Sequence, residues 1–127
     1  MITALYAGIF GLALVPLSIR VIRLRRRHRV SLGDGGNAAL ERAIRVHGNF
    51  VEYTPMFLIL LGLAEAQGLP GWSIHGAGAG FAVARAAHFL GLRTEAAPPA
   101  FRVLGMGLTF AAIIWLSMIL LKHQLFA

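Results

Sequence analysis

The chain contains no cysteine. That excludes disulfides, thiolate metal sites and a cysteine nucleophile, and no other metal-ligand pattern stands out. Acidic groups are scarce too: five Asp and Glu stand against 12 Lys and Arg, and charged residues make up only 13% of the 127 positions. Soluble domains carry about 25%, so this chain lacks the polar surface needed to coat itself for water. Hydrophobic residues fill 57% of it, and the mean hydropathy is +0.72. These shortages point to an integral membrane protein, and the length to a single domain.

A net charge of +7 and a pI near 11.6 are compatible with nucleic-acid binding in principle. The distribution argues against it. Six of the 12 cations lie between Arg20 and Arg29, directly after an uncharged run. That pattern is a cytoplasmic flank; a nucleic-acid reader spreads cations over a soluble face or interleaves them with aromatics. The run "RLRRRHR" also suits anionic lipid headgroups.

Two long, strongly apolar runs hold no charge: residues 2–19 and residues 103–121. The first is expected as a helix over about 2–22, kinked by Pro16. Its cations follow it and no small-residue cleavage pattern ends it, so it reads as a retained helix, not a signal peptide. Residues 23–36 read as a polar connection ending in "GDGG", and Asn37 as the N-cap of a second helix over about 38–66. Gly68, Pro70 and Gly71 stop that helix. A third helix is expected over about 72–92. Gly76, Gly80 and Ala84 recur in it every fourth residue, which suits close helix packing better than a phosphate loop. Pro98 and Pro99 open a fourth helix over about 100–123. The expected fold class is all-α, a four-helix membrane bundle over residues 1–127. The first and third connections carry the arginines and would face the cytoplasm, with both termini on the other side.

The segment "ERAIRVHGNFVEY", residues 41–53, interrupts this apolar plan. With Arg42 as zero and about 100° per residue, Arg45 falls at about 300°, Asn49 at about 340°, Glu52 at about 280° and Tyr53 at about 20°. His47, at about 140°, lies on another face. One polar stripe therefore runs into the membrane. A charge at that depth costs at least about 2.5–3.5 kcal/mol, so Glu52 must face protein or a wet cavity. Pro55 also frees the carbonyl of Val51. Arg85 and His88 share a face of the third helix, Arg102 opens the fourth, and Arg23 and Arg25 leave the first. These five cations can surround a polyanionic ligand with Asn49 and Glu52 at its floor. Alternatively, the arginines pair with Glu41, Glu52 and lipid phosphates. His75 and His123 read as interfacial, Trp72, Trp115 and Tyr6 as interface anchors or packing groups, and Met56, Met106 and Met118 as helix packing.

The segment "ERAIRVHGNFVEYTPMF" closely resembles the second-helix signature of the MAPEG family, the membrane-associated proteins of eicosanoid and glutathione metabolism. "ARAAHFLG" resembles the third-helix Arg-x-x-His segment, and "RVSLGDGGNAAL" looks like the branch of small bacterial inner-membrane members. The resemblance implies a homotrimer with glutathione bound between neighbouring subunits near the cytoplasmic side. It implies that Arg45, Asn49 and Glu52, then Arg85 and His88, and Arg23 from the end of the first helix, contact glutathione. Arg102 matches the arginine that stabilises the glutathione thiolate; Arg42 fits the motif in a structural role. The implied activity is a glutathione transferase or peroxidase acting on lipophilic electrophiles, with membrane lipids as surroundings. Several enzymes of the family carry a tyrosine one turn after the third-helix histidine; here that position is Leu92. Two alternatives stay open. One is a non-catalytic membrane protein that binds glutathione or a lipid. The other is a small proton-coupled exporter, against which stand the lack of an acid in the first helix and the arginines around Glu52.

Overall fold

The computed structural model describes residues 1–126, and those residues form four helices without a strand. They are α1 (Ile2–His28), α2 (Ala38–Ala66), α3 (Gly71–Leu90) and α4 (Pro99–Phe126). The all-α class is as expected. Asn37 caps α2, its side chain accepting from the Leu40 amide at 2.9 Å.

The first boundary differs. α1 does not stop near residue 22 but continues through the basic run to His28. Arginine is a good helix former, and cations are favoured at the negative end of the helix dipole. Closure comes from Arg29, whose left-handed backbone (φ 54°) lets its N–H reach back to the carbonyls of Arg25 and Arg26. The Arg25 side chain then donates to the Gly33 carbonyl at 2.8 Å, holding the connection against the helix end.

α3 packs chiefly on α4 and α1 on α2. The core is an aromatic cluster: Phe57 and Phe81 stack at 3.9 Å, and the Phe10 ring meets Phe81 edge-on at 5.4 Å. Leu61, Ile74 and Leu116 close around them, each fully buried. Tyr6 belongs to this packing and is not an interface anchor; its hydroxyl donates to the His75 carbonyl at 3.0 Å. At the same end, the Glu65 carboxylate accepts from the backbone amides of Ile2 and Thr3, so the end of α2 caps the start of α1.

The small-residue packing uses different glycines from those expected. Gly76 and Gly80 face open space, whereas a side chain at Gly78 would run into the Tyr6 ring. The contact face of α3 follows Ile74, Gly78, Phe81 and Arg85, all buried, and Gly76 and Gly80 lie beside that line, not on it. Gly105 of α4 also makes a close backbone approach: a Cβ there would stand 2.6 Å from both the Ala84 carbonyl oxygen and the His88 nitrogen.

α1 and α4 are long and apolar enough to cross a membrane. Their outer faces leave large apolar side chains uncovered: Leu12 is 77% exposed, Val103 67% and Ile114 61%. Met56 and Met118 also point outward, not into helix contacts. α2 and α3 fall short of the same criterion. The polar stripe occupies the first half of α2, and half of the 20 residues of α3 are glycine or alanine.

Candidate functional site

Five of the residues singled out from the sequence line one cleft of about 930 Å³. Arg45, Asn49 and Glu52 come from α2, His88 from α3 and Arg102 from the first turn of α4. The stripe on α2 supplies one wall because its members recur at helical spacing. His47, on the other face, instead meets Ser18 Oγ of α1 at 3.0 Å.

Two glycines bring the opposite wall in. Gly105 lets α4 lie directly on the backbone of His88, and a side chain at Gly91 would collide with the backbone of Arg102. His88 and Arg102 therefore reach the same cleft from different helices.

Arg85 does not line this cleft. Its side chain is buried behind Asn49, with 7% exposure. The guanidinium donates to Asn49 Oδ1 and Thr109 Oγ1, and weakly to the Gly105 carbonyl at 3.5 Å. It lies 5.3 Å from the centre of the Phe81 ring and 5.9 Å from that of Tyr53, on their π faces. Every one of these partners is neutral. A guanidinium only donates, so it must take the oxygen of the Asn49 amide. The Asn49 nitrogen is left with Met106 Sδ at 3.3 Å, a weak acceptor.

Arg23 lies apart as well. It sits in a shallow hollow beside Ile19 and Leu24 on α1. Arg25, held by Gly33, is not at the cleft either.

The cleft also contains groups that the sequence did not assign to a ligand site, although Glu41 stood out as a possible ion-pair partner of the arginines. Glu41 and Glu95 line it, so three glutamates face it together with Arg42, Arg45 and Arg102. Glu41 falls at about 260° in the helical projection, beside Glu52, and that signal was available. Glu95 lies in the connection before α4, where no periodicity marks it. Thr109 was invisible for another reason: a threonine in an apolar helix carries no signal until its partner is known. Leu92 forms part of the wall, and among the described residues Thr94 supplies the one hydroxyl lining the cleft. Among the described residues no group of three His, Asp or Glu is placed to hold a metal ion.

A helical membrane fold with a mixed-charge cleft at one end of its helices fits the class anticipated from the α2 signature. Over residues 3–122 the sequence matches the model of the MAPEG family, and the chain belongs to that family. It is also similar to "Inner membrane protein YecN" of Escherichia coli strain K12, with 38% identity over 114 residues, 90% of this chain and 86% of the relative. The protein of the same name from Escherichia coli O6:H1 strain CFT073 matches to the same extent. The chain is accordingly a membrane protein of the bacterial MAPEG branch.

Proposed function

We propose that this protein binds glutathione in the α2–α3–α4 cleft and activates its thiol for transfer to lipophilic electrophiles. The observation that carries the reading is the convergence of Arg45, Asn49, Glu52, His88 and Arg102 on one cleft. Glutathione has two carboxylates, an ammonium group and a thiol. Arginine binds carboxylates with parallel hydrogen bonds, and Glu52 offers the ammonium a counter-ion. A cleft carrying three arginines and three glutamates suits such a zwitterion better than a simple polyanion.

Arg102 is the proposed catalytic group. A cation beside sulfur favours the thiolate, the nucleophilic form. The thiolate attacks an electrophilic carbon, a C–S bond forms, the leaving group departs with its electron pair, and the thiol proton goes to solvent. Holding both reactants at the membrane edge supplies proximity. Arg85 acts through Asn49, and Arg23 joins this cleft only from a neighbouring copy, in keeping with a homotrimer. In the proposed topology all four helices span a bacterial inner membrane, with the basic end of α1 and the first and third connections cytoplasmic and both termini outside.

Leu92 favours a second reading, a glutathione-binding protein without turnover. It lines the cleft where a tyrosine hydroxyl would otherwise assist the sulfur.

The deciding experiment is equilibrium binding of labelled glutathione to the protein in lipid nanodiscs, beside Glu52→Gln and Arg45→Ala. Saturable binding lost in both variants supports the assignment; absence of binding by the wild type overturns it. Conjugation across an electrophile panel then separates enzyme from binder.

A further inference from the structure

A second cavity, of about 480 Å³, opens between α1, α2 and α3. Ile9, Ala13 and Leu17 of α1, Phe50 of α2, and Ala86 and Phe89 of α3 give it apolar walls. Arg85 edges its inner end; its two terminal nitrogens already donate to Asn49, Gly105 and Thr109, and its buried Nε has no hydrogen-bond partner. The exception at the outer end is Arg20. Its Nη2 donates to the Arg93 carbonyl at 3.1 Å, and its guanidinium carbon stands 5.7 Å from the centre of the Phe89 ring. Arg20 is thereby fixed across the gap between α1 and the end of α3. Only one of its five N–H donors is used in that contact. Pro16 and Arg20 also line the adjoining hollow beside Arg23, the residue that the proposed trimer turns toward a neighbouring copy, so the lipid groove stops at Arg20.

We infer that this groove is a site for an anionic phospholipid of the surrounding membrane, one acyl chain lying along α1 and the phosphate resting on Arg20. The argument is charge and polarity matching. A dissolved anion has no use for the apolar walls, and a neutral lipid has no use for the fixed cation. Arg20 stands where α3 ends and the basic flank of α1 begins, the level at which lipid phosphates lie. Basic pockets between membrane helices are recognised settings for such headgroups. His88 lines both this groove and the α2–α3–α4 cleft; the lipid assignment uses only Arg20 and the apolar walls, so its test does not depend on glutathione binding.

The test is lipid retention by the full-length protein, purified from nanodiscs containing equal phosphatidylglycerol and phosphatidylcholine, and read by native mass spectrometry. Wild type is expected to carry phosphatidylglycerol in preference to phosphatidylcholine. Arg20→Gln is expected to lose about fivefold of that retention, the contribution of one basic side chain to an anionic headgroup. Arg20→Lys should keep most of it. Ala86→Phe, at an exposed position on the groove wall, should abolish it with the charge intact, and it decides the matter if Arg20→Gln does not fold. Equal retention of the two lipids by wild type overturns the inference. So does undiminished phosphatidylglycerol in folded Arg20→Gln, or a bound free fatty acid or second protein copy in place of the phospholipid.

Discussion

Arg85 of α3 donates to the side-chain oxygen of Asn49, 36 residues away on α2. The two helices meet at few other polar points, so this bond fixes which end of the Asn49 amide faces the cleft.

Asn49→Asp is expected to separate stability from binding. A carboxylate opposite Arg85 keeps the helix–helix bond and strengthens it, so the thermal midpoint should hold or rise. The amide donor near Met106 is lost, and glutathione affinity should fall about tenfold, the worth of one hydrogen bond of roughly 1.4 kcal/mol. Thermal unfolding in detergent and equilibrium binding read the two effects on one sample.

Removing the other partner costs both. Arg85→Met leaves the Asn49 oxygen and the Thr109 hydroxyl without their donor, a loss of about 1–3 kcal/mol for a buried acceptor left unpaired. Arg85→Lys is expected to recover little, because an ammonium does not reproduce the fork that reaches both. Denaturation midpoints of the two variants should therefore lie close together and below wild type.

Gly105→Ala should separate α3 from α4. Its new methyl would meet the backbone of Ala84 and His88, and atoms of that kind do not swing aside. Overpacking of this sort costs about 1–3 kcal/mol, and the shift of His88 should weaken glutathione binding as well. Gly107→Ala, where nothing stands within 4 Å, is the control expected to leave both unchanged.

Glu65→Ala uncaps α1. The amides of Ile2 and Thr3 lose their acceptor, so hydrogen exchange should accelerate in the first turn of α1 and stay unchanged in the aromatic core. Uniform acceleration along the chain would show that the bond supports the whole bundle instead.

Leu92→Tyr places a phenol in the cleft wall. If the missing hydroxyl limits chemistry, conjugation of chlorodinitrobenzene should rise while glutathione affinity stays near that of the wild type. No change would point to Arg102 as sufficient, and Arg102→Ala should then remove the thiolate absorbance.

Much of this was written in the sequence. The α2 stripe was legible because a helix converts spacing into direction, and Arg45, Asn49 and Glu52 do share one wall. The asparagine cap and the proline-led start of α4 were legible because each depends on neighbours in the chain. Arg85 was placed correctly on its helix face but not in its surroundings. Spacing gives the face of a residue, not whether a threonine from another helix waits opposite. Gly76 and Gly80 misled for a similar reason: a regular repeat shows that close approach is allowed, and only the Tyr6 ring chooses Gly78. The end of α1 lies beyond what hydropathy marks, because charge ends the hydrocarbon span and not the helix.

That last point sets the geometry of the whole molecule at the membrane surface. α1 has 27 residues, about 40 Å at 1.5 Å per residue, against roughly 30 Å of hydrocarbon. Its final turns are therefore a stiff post, not a tether. Arg25, Arg26 and Arg27 cannot spread over the leaflet as a loose loop would; they stand at fixed heights and point in different compass directions. The height of that post fixes how deep the bundle rides, and so how far the mouth of the cleft lies from the water that delivers its polar ligand.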